Sequence, residues 1–478
     1  MKKFFLPALL SATVFFCSQC ARNPVTGKKQ IVTMSTEQEL AIGQEGDPQI
    51  IAQFGLYEDS ALQRYMNQKG QAMAAISHRN NISYGFRVLN SPVVNAFATP
   101  GFVYFTRGIM AHFNNEAQFE GVLGHELGHI AARHTVIQQR NATLGQVGIL
   151  AGAIISPTFG RMMESASQGL QLLLLKNSRD AEREADQLGV EYSTKLGFNA
   201  TEMADFFNTL KRQGEQSGQE LPNLLSTHPD PGERNATVSQ LATEWKQKTG
   251  LTNPKVNREN YLRLLEGLVY GEDPREGYLE NNVFYHPVLK FQFPTPSGWQ
   301  YQNTPQQVQL ASADGKALMI LMLAQGASLQ EAANTALEQL QLQVISSRQT
   351  TINGLPALQV EAQQQQQQTG VLRTLSSFIQ YNNTIYHLVG VSMMTDYNNY
   401  GNVFLNVMEG FRPLTDASKI NRKPERIRLK TVSQTMTLEQ AFRNYKMPSA
   451  RFTELAILNG MELTDRLTAG TMIKVVGE

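Results

Sequence analysis

Cysteine is almost absent from this sequence. Only two cysteines occur among 478 residues, Cys17 and Cys20, and both lie near the N-terminus. No disulfide can therefore support the rest of the chain. Its folded regions must be stabilised by hydrophobic cores, for which a hydrophobic content of 41% is ordinary.

An excess of charge of either sign is also absent. Lysine and arginine number 42 and aspartate and glutamate 41, so the formal net charge is +1. No long run of like charges occurs in the chain. A nucleic acid or another polyanion is therefore not expected as a partner.

Long hydrophobic runs are lacking after the first 20 residues. The best candidate, Val147–Ile155, has nine residues, whereas about 20 are needed to span a bilayer as a helix. We therefore expect no transmembrane helix in the mature chain.

The N-terminus has the pattern of an export signal. Lys2 and Lys3 precede an apolar run, Phe4–Phe16, which is typical of a secretory signal peptide and short for a transmembrane helix. A buried first helix is the alternative. We predict a signal peptide over residues 1–20 and a periplasmic protein, with Cys20 as a candidate site for a lipid anchor to the outer membrane.

The length predicts more than one domain, since a single core rarely serves more than about 300 residues. The pattern predicts an α+β protein: a mainly helical domain with a small edge-strand sheet, a smaller α+β domain with an antiparallel sheet, and a short C-terminal module. The predicted boundaries are 21–252 for the helical domain, 253–282 for a linker, 283–415 for the α+β domain, 416–430 for a second linker and 431–478 for the module.

A His-Glu-x-x-His pattern is formed by His125, Glu126 and His129. Residues four apart lie on one face of a helix, so both imidazoles can reach one metal ion. Glu126 lies about 100° further round the helix, beside the ion, where it can take a proton from a metal-bound water. Imidazole and carboxylate ligands with an open fourth position favour zinc, one ion per chain.

The residues around this motif predict a helix from 115 to about 140. On such a helix His134 would lie about 140° beyond His129, so we assign His134 a structural role. Glycines within a helix weaken it by up to ~1 kcal/mol each, and are tolerated where another element must approach closely. The predicted helix contains three near the motif: Gly121, Gly124 and Gly128.

A third metal ligand is sought among the acidic residues of 180–186. Glu182 and Asp186 are four apart and share a helical face, whereas Glu184 points elsewhere. One of the two carboxylates can bind the metal, while the other accepts the free ring N–H of a histidine ligand.

With these residues in view, the chain resembles the gluzincin zinc peptidases of the HtpX and CAAX-prenyl-protease type, and among them the soluble, exported BepA and LoiP branch. The resemblance covers roughly residues 20–250. Besides the histidine motif, it rests on four stretches: 23–27 (Asn-Pro-Val-Thr-Gly), 95–101 (Asn-Ala-Phe-Ala-Thr-Pro-Gly), 182–186 (Glu-Arg-Glu-Ala-Asp) and 226–229 (Ser-Thr-His-Pro).

This resemblance implies a role for each site residue. His125, His129 and Glu182 would bind the metal, Glu126 would be the general base, and Asp186 would support a histidine ligand. His228 matches a loop histidine close to the zinc, where it could stabilise the oxyanion or occupy the open coordination position. An extended peptide substrate would lie beside one strand of the domain. This strand is formed by Asn95, Ala96, Phe97 and Ala98.

The other two regions resemble known modules more loosely. Residues 283–415 are similar to PsbP-like domains, on the basis of Phe-Gln-Phe-Pro at 291–294 and Pro-Ser-Gly-Trp at 296–299. Residues 431–478 are similar to LysM modules, which bind cell-wall glycans. In LysM modules a Gly-Asp pair usually precedes the threonine. This pair is missing here, where residues 433–436 are Ser-Gln-Thr-Met.

We therefore predict a zinc endopeptidase of the bacterial envelope that degrades misfolded or misassembled proteins. Outer-membrane proteins are candidate substrates. The resemblance implies this quality-control role. One alternative is an envelope chaperone or scaffold whose protease site is kept latent by His228. Another is a peptidoglycan-binding protein with a vestigial catalytic domain, against which the complete set of ligands and base argues.

Overall fold

The computed structural model describes residues 20–27, 29–31, 34–135, 178–217, 228, 231–366 and 370–478. Residues 1–19 of the predicted signal peptide lie outside these ranges. The α+β prediction is confirmed, because helices dominate the first half and antiparallel sheets the second. Within the described ranges, every helix is too short or too polar to cross a membrane.

The first region, to residue 249, is mainly helical, and polar residues fix where its helices begin. The Ser35 hydroxyl accepts a hydrogen bond from the Gln38 backbone N–H, and the Ser35 backbone N–H donates to the Gln38 side-chain oxygen, which forms a capping box. The elements are β1 (Cys20–Arg22), β2 (Lys29–Ile31), α1 (Thr36–Phe54), α2 (Ser60–Ile76), β3 (Gly85–Leu89), β4 (Ala96–Thr99), β5 (Phe102–Thr106), α3 (Arg107–His112), α4 (Glu116–Ala131), α5 (Arg179–Lys195), α6 (Thr201–Ser217) and α7 (Pro231–Thr249).

A three-stranded sheet lies beside α4, with β5 in the centre and β4 at one edge. β4 and β5 form a hairpin around Pro100 and Gly101, whose φ of +79° suits the turn that the proline begins. The Thr106 N–H donates to Asn95 O within this hairpin. Because antiparallel residues alternate in direction, Ala96 and Ala98 turn their backbone N–H and C=O groups towards the open edge.

The segment 253–282, predicted as a linker, is packed against the helical region. It contains α8 (Arg258–Leu264), a 3-10 turn (Pro274–Glu276) and β6 (Tyr278–Glu280). Tyr261 is buried, and its hydroxyl donates to Met110 O at 2.9 Å. The prediction missed this because a short amphipathic helix with many polar residues resembles a tether.

The middle region consists of two antiparallel sheets and two helices. The larger sheet has the strand order β12-β13-β14-β15-β11-β10-β9, and the smaller β16-β8-β7-β6. Its elements are β7 (Val283–His286), β8 (Phe291–Pro294), β9 (Gln300–Asn303), β10 (Gln307–Ala311), β11 (Ala317–Ala324), α9 (Leu329–Gln339), β12 (Gln343–Ile352), β13 (Leu355–Gln366), β14 (Gly370–Tyr381), β15 (Thr384–Met393), α10 (Tyr397–Glu409) and β16 (Arg412–Pro413).

The C-terminal region contains two pairs of antiparallel strands. β17 (Arg426–Thr431) begins inside the predicted second linker and pairs with β20 (Met472–Gly477). The remaining elements are α11 (Ala417–Ile420), β18 (Met436–Thr437), α12 (Leu438–Asn444), a 3-10 turn (Ser449–Arg451), α13 (Phe452–Leu458) and β19 (Arg466–Leu467).

The C-terminal region shares one hydrophobic core with the helical region. Phe442, Leu455 and Ile473 belong to the same buried cluster as Phe113 and Phe206. A buried polar contact joins the two as well: the Lys474 amino group donates to Ala111 O at 2.7 Å and to Phe113 O at 3.0 Å, at the C-terminal end of α3. The C-terminal region therefore packs as part of the same hydrophobic core as α4.

Candidate metal centre

Two histidines project from α4 towards a common point. Asn115 begins this helix by accepting a hydrogen bond from the Gln118 backbone, and every residue of the helix is buried. The helical spacing brings the Nε2 atoms of His125 and His129 within 3.0 Å of each other. Both side chains are 3% exposed.

Helix α5 adds two carboxylates to this point. Glu182 lies with its oxygens 3.5 Å from His125 Nε2 and 3.4 Å from His129 Nε2. Asp186, one turn later, accepts from the other ring nitrogen of His125, Nδ1, at 2.8 Å. The structure thus assigns the two candidate carboxylates different neighbours, with Glu182 facing the two Nε2 atoms and Asp186 behind His125.

Glycines allow α4 and α5 to approach this closely. A Cβ at Gly189 of α5 would lie 2.9 Å from Gly121 O and 3.0 Å from His125 N. A Cβ at Gly124 of α4 would lie 3.0 Å from the Gly189 Cα. The predicted reason for glycines near the motif, a close approach by another element, therefore holds for this helix pair.

His228 completes the group. Its Nδ1 atom is 2.9 Å from a Glu182 oxygen and 3.2 Å from His125 Nε2. The side chain is 3% exposed. Among the described residues, a possible metal-binding group consists of these four, with ligand atoms all within 4.8 Å of one another: His125, His129, Glu182 and His228.

The separations between these ligand atoms fit a zinc ion. Zinc–nitrogen bonds of about 2.0–2.1 Å in a regular tetrahedron place neighbouring ligand atoms about 3.3 Å apart. The five separations given above run from 2.9 to 3.5 Å. Three imidazoles and one carboxylate are also a donor set that zinc binds readily.

Burial and nearby charge favour the metal-binding protonation states of His129 and Glu182. Burial lowers the pKa of His129 well below its usual value, which favours the neutral ring. Burial opposes ionisation of Glu182, but the positive charge of His228, whose own pKa Glu182 raises against the effect of burial, holds the pKa of Glu182 well below the ordinary value. A neutral imidazole and an ionised carboxylate are the ligand forms.

Glu126 lies beside the group and not within it. Its Oε1 atom is 3.7 Å from His228 Nε2 and has no hydrogen-bond partner among the described residues. Burial raises the pKa of this carboxyl, against the opposing effect of His228 and His125. A buried carboxyl with a free oxygen and a raised pKa is suited to proton transfer.

Sequence reasoning missed Arg234, near the start of α7. Its guanidinium donates to both oxygens of Asp186, at 2.9 and 2.7 Å, and lies 3.2 Å from Glu182. Burial alone would raise the pKa of Asp186, but Arg234 outweighs it and lowers that pKa. No spacing rule links Arg234 to the motif, since α5 and α7 come together only in the fold.

His134 lies closer to His129 than its spacing along a continuous helix predicted. Its Nδ1 atom lies 2.9 Å from Nδ1 of His129, and its Nε2 atom 3.1 Å from a Glu184 oxygen. The prediction assumed a continuous helix, but α4 ends at Ala131 and Arg133 has a φ of +63°. This reversal turns His134 back towards His129, and it brings Glu184, predicted to point elsewhere, into the same chain of contacts.

The strand predicted to bind substrate corresponds to β4 and the residue before it. Ala96 is buried in the same core as Val122 and Leu123 of α4, so β4 runs along the helix that carries the histidines. Phe97 faces the other side of the sheet and stacks on Tyr104 with ring centroids 4.9 Å apart. Asn95 and Ala98 are partly exposed.

Comparison with known proteins gives the family of the first region. Residues 60–242 match the model of peptidase family M48. The chain is 28% identical over 248 residues to a beta-barrel assembly-enhancing protease of Yersinia pestis, covering 50% of each chain. It is 31% identical over 186 residues to a mitochondrial metalloendopeptidase OMA1 of Arabidopsis thaliana, covering 38% of this chain and 36% of the relative. The chain therefore spans about half or less of these relatives' length.

The solved structures found by comparison resemble this chain only weakly. The cyanobacterial PsbP of Synechocystis is 10% identical, with a TM-score of 0.23, covering 27% of this chain and 91% of that one. LpqN of Mycobacterium tuberculosis, described as involved in cell envelope biogenesis, is 9% identical with a TM-score of 0.22, covering 26% and 83%. The PsbP-like and LysM-like interpretations stay predictions. Over residues 60–242, however, the chain matches the model of peptidase family M48, and the named relatives are also peptidases.

Proposed function

We propose that this chain is a zinc-dependent endopeptidase of the bacterial cell envelope that degrades misfolded or misassembled envelope proteins. The observation that carries the proposal is the buried group of three imidazoles and one carboxylate, with the free Glu126 oxygen beside it. Two relatives are named beta-barrel assembly-enhancing proteases, which supports a location in the cell envelope.

His125, His129 and Glu182 would hold one zinc ion. When bound, zinc polarises the scissile carbonyl and lowers the pKa of water to about 7. The free carboxylate oxygen of Glu126 would take a proton from the attacking water and later deliver it to the leaving amine. Asp186 accepts the Nδ1–H of His125 and so fixes the tautomer whose Nε2 lone pair faces the metal position.

The substrate would be an extended polypeptide lying along the open edge of β4. Ala96 and Ala98 offer backbone donors and acceptors there, as in other cases of strand addition. Recognition through the backbone requires an unfolded or extended segment and depends little on its side chains. That preference suits an enzyme that removes proteins which have failed to fold.

His228 supports a second candidate, an envelope chaperone or scaffold with a latent protease site. Its Nδ1 atom lies within 3.2 Å of both Glu182 and His125, in the direction of the fourth coordination position. With His228 as a ligand, no position is left for water. The alternative role for His228 is to stabilise the oxyanion during hydrolysis.

The variant His228→Ala separates these roles. Latency predicts that cleavage of an unfolded protein rises sharply in the variant, whereas an oxyanion role predicts that it falls. Unchanged cleavage would exclude both roles for His228.

The variant Glu126→Gln tests the enzyme itself. The purified full chain is loaded with zinc, its zinc content is measured, and cleavage of an unfolded protein is followed. We expect zinc to be retained and cleavage to be lost by about 10²-fold or more. Glu120→Gln is the matched control, since Glu120 is a buried acid on the same helix, and it should keep its activity. Undiminished cleavage by Glu126→Gln would refute the assignment.

Two further parts of the prediction concern location. Cys20 as a lipid anchor would be tested by mass spectrometry of the chain purified from membranes. Peptidoglycan contact through residues 431–478 would be tested by co-sedimentation of the full chain with purified peptidoglycan. Absence of the lipid mass or of co-sedimentation would remove the corresponding proposal.

A further inference from the structure

A cleft of about 380 Å³ separates the peptidase domain from the middle region. One wall contains Asn95 and Phe97, at the beginning of β4. The opposite wall contains Tyr301, Gln302 and Asn303 of β9. The Asn95 end of β4 therefore borders this cleft.

Both walls end in strands with an open edge. β4 is the edge of the three-stranded sheet, and β9 is the edge of the seven-stranded sheet. Thr304 N–H donates to Gln307 O at the turn that joins β9 to β10. By the antiparallel alternation, Tyr301 and Asn303 then direct their backbone N–H and C=O groups away from β10. An extended chain leaving β4 thus meets a second strand edge.

Two buried polar atoms on these walls lack a partner. Among the described residues, neither Asn95 Oδ1 nor the Tyr301 hydroxyl makes a hydrogen bond. Buried polar groups are normally paired, and leaving one unpaired costs about 1–3 kcal/mol. Asn95 can accept a hydrogen bond and Tyr301 can donate one, so the backbone of a bound polypeptide can satisfy both after these side chains turn towards it.

The charge at the cleft is acidic. Glu272 and Glu276 line it, both are exposed, and neither forms an ion pair within the described part of the chain. The Asp273 charge is compensated by Arg275. The Arg107 guanidinium on the same wall is turned inwards and donates to Asn90 Oδ1, Val269 O and Gly271 O. The surplus of negative charge favours a cationic side chain.

We propose that this cleft is a second substrate-binding subsite, which holds the polypeptide beyond the β4 edge and prefers lysine or arginine there. The inference rests on the proposed peptidase function and deepens it. The middle region contributes β9 to the binding of substrate, and Glu272 and Glu276 determine the preference at this position.

The experiment compares a short cleavable core peptide with extended versions of it. Extensions of about ten residues are added to either end, each with one lysine or one glutamate at successive positions. Values of kcat/KM are measured with the full zinc-loaded chain. Dissociation constants for the same peptides are measured by fluorescence anisotropy with the zinc-loaded Glu126→Gln chain, which does not consume them.

The variant Glu272→Gln/Glu276→Gln removes the charge of the cleft. In the parent chain we expect one of the two extensions to favour lysine over glutamate by about five- to tenfold, the sum of two partly exposed charge contacts. In the double variant this ratio should fall to about one, with cleavage of the core peptide unchanged. Glu338→Gln/Glu409→Gln removes two exposed acids away from the cleft and should leave the ratio as in the parent.

The two proposals fail in different ways. A lysine preference that persists in the cleft variant, or extensions that change neither kcat/KM nor binding, would overturn the subsite while leaving the peptidase intact. Absence of cleavage of every peptide and of an unfolded protein would overturn the peptidase function. In that case the binding ratio measured with Glu126→Gln still decides whether the cleft recognises a cationic extended chain. Tyr301→Phe, which removes only the hydroxyl, should weaken binding of the extended peptide but not of the core peptide.

Discussion

The crossing of α4 and α5 fixes the distance between the histidines and Glu182, and Gly189→Ala tests this directly. The added methyl group would lie 2.9 Å from Gly121 O and 3.0 Å from His125 N, whereas ordinary contacts begin at 3.4 Å. Both neighbours are backbone atoms of a buried helix, so neither can rotate away. The two helices must therefore separate by about 0.5 Å or more.

The change in stability is a balance of two opposing effects. Alanine in place of glycine favours the helix by about 1 kcal/mol. Overpacking of a well-packed contact costs about 1–3 kcal/mol. We expect the free energy of unfolding of the metal-free protein to fall by up to about 2 kcal/mol.

Gly189→Ala should also lower the affinity for zinc. Glu182 moves with α5, away from the Nε2 atoms of His125 and His129, which stay on α4. Disturbing the neighbours of a metal site costs about 10–100-fold in affinity. We therefore expect zinc affinity, measured by competition with a chromophoric chelator, to fall by at least about tenfold.

Gly46→Ala is the matched control. Gly46 is a buried glycine within α1, and a Cβ there would have nothing within 4 Å. It should stabilise the protein by about 0.5–1 kcal/mol and leave zinc affinity unchanged. If Gly189→Ala binds zinc as tightly as the parent and unfolds at the same or a higher temperature, the helix crossing does not set the ligand distances.

Three further variants test the surroundings of the site. Arg234→Met leaves the buried Asp186 carboxylate without its ion pair, and should lower the free energy of unfolding in urea by about 3 kcal/mol. His134→Phe removes the 2.9 Å contact with His129 and should weaken zinc binding about tenfold in the chelator assay. Burial raises the pKa of Glu120 from 4.5 to about 8, so ionisation of the unfolded state destabilises the fold as pH rises from 4.5 to 8. Glu120→Gln should therefore be as stable as the parent near pH 4.5 and more stable by about 3–5 kcal/mol at pH 8.

The contrary results are equally specific. Stability of Arg234→Met equal to that of the parent would mean that Asp186 does not depend on its partner. Full zinc affinity in His134→Phe would return His134 to the structural role first assigned to it. A constant difference between Glu120→Gln and the parent across this pH range would show that Glu120 is not protonated in the fold.

The sequence was informative where geometry is local. Spacing by four residues brought His125 and His129 to one face, and it did the same for Glu182 and Asp186, because helix geometry alone fixes such pairs. The two strands around Pro100 were also predictable, since proline followed by glycine interrupts a strand-like run.

The rest depends on contacts between distant segments. Arg234 reaches Asp186 only because α7 packs beside α5, and no pattern within either helix requires it. His134 depends on the left-handed backbone of Arg133, a conformation uncommon outside glycine. Arg133 is held there by Glu39, 94 positions earlier, through a 2.9 Å hydrogen bond. Such a contact is invisible to periodicity.

Lys474 has a consequence for the order in which the protein is assembled. The carbonyls of Ala111 and Phe113, directly before α4, receive this hydrogen-bond donor from a strand more than 360 positions later. Closing so long a loop is slow compared with forming a helix. The helix that carries His125 and His129 can thus form early, but the carbonyls at the end of α3, just before it, receive this hydrogen bond only after β20 has been synthesised and paired with β17. The hydrophobic core that this helix shares with the C-terminal region is therefore completed only when that region is in place.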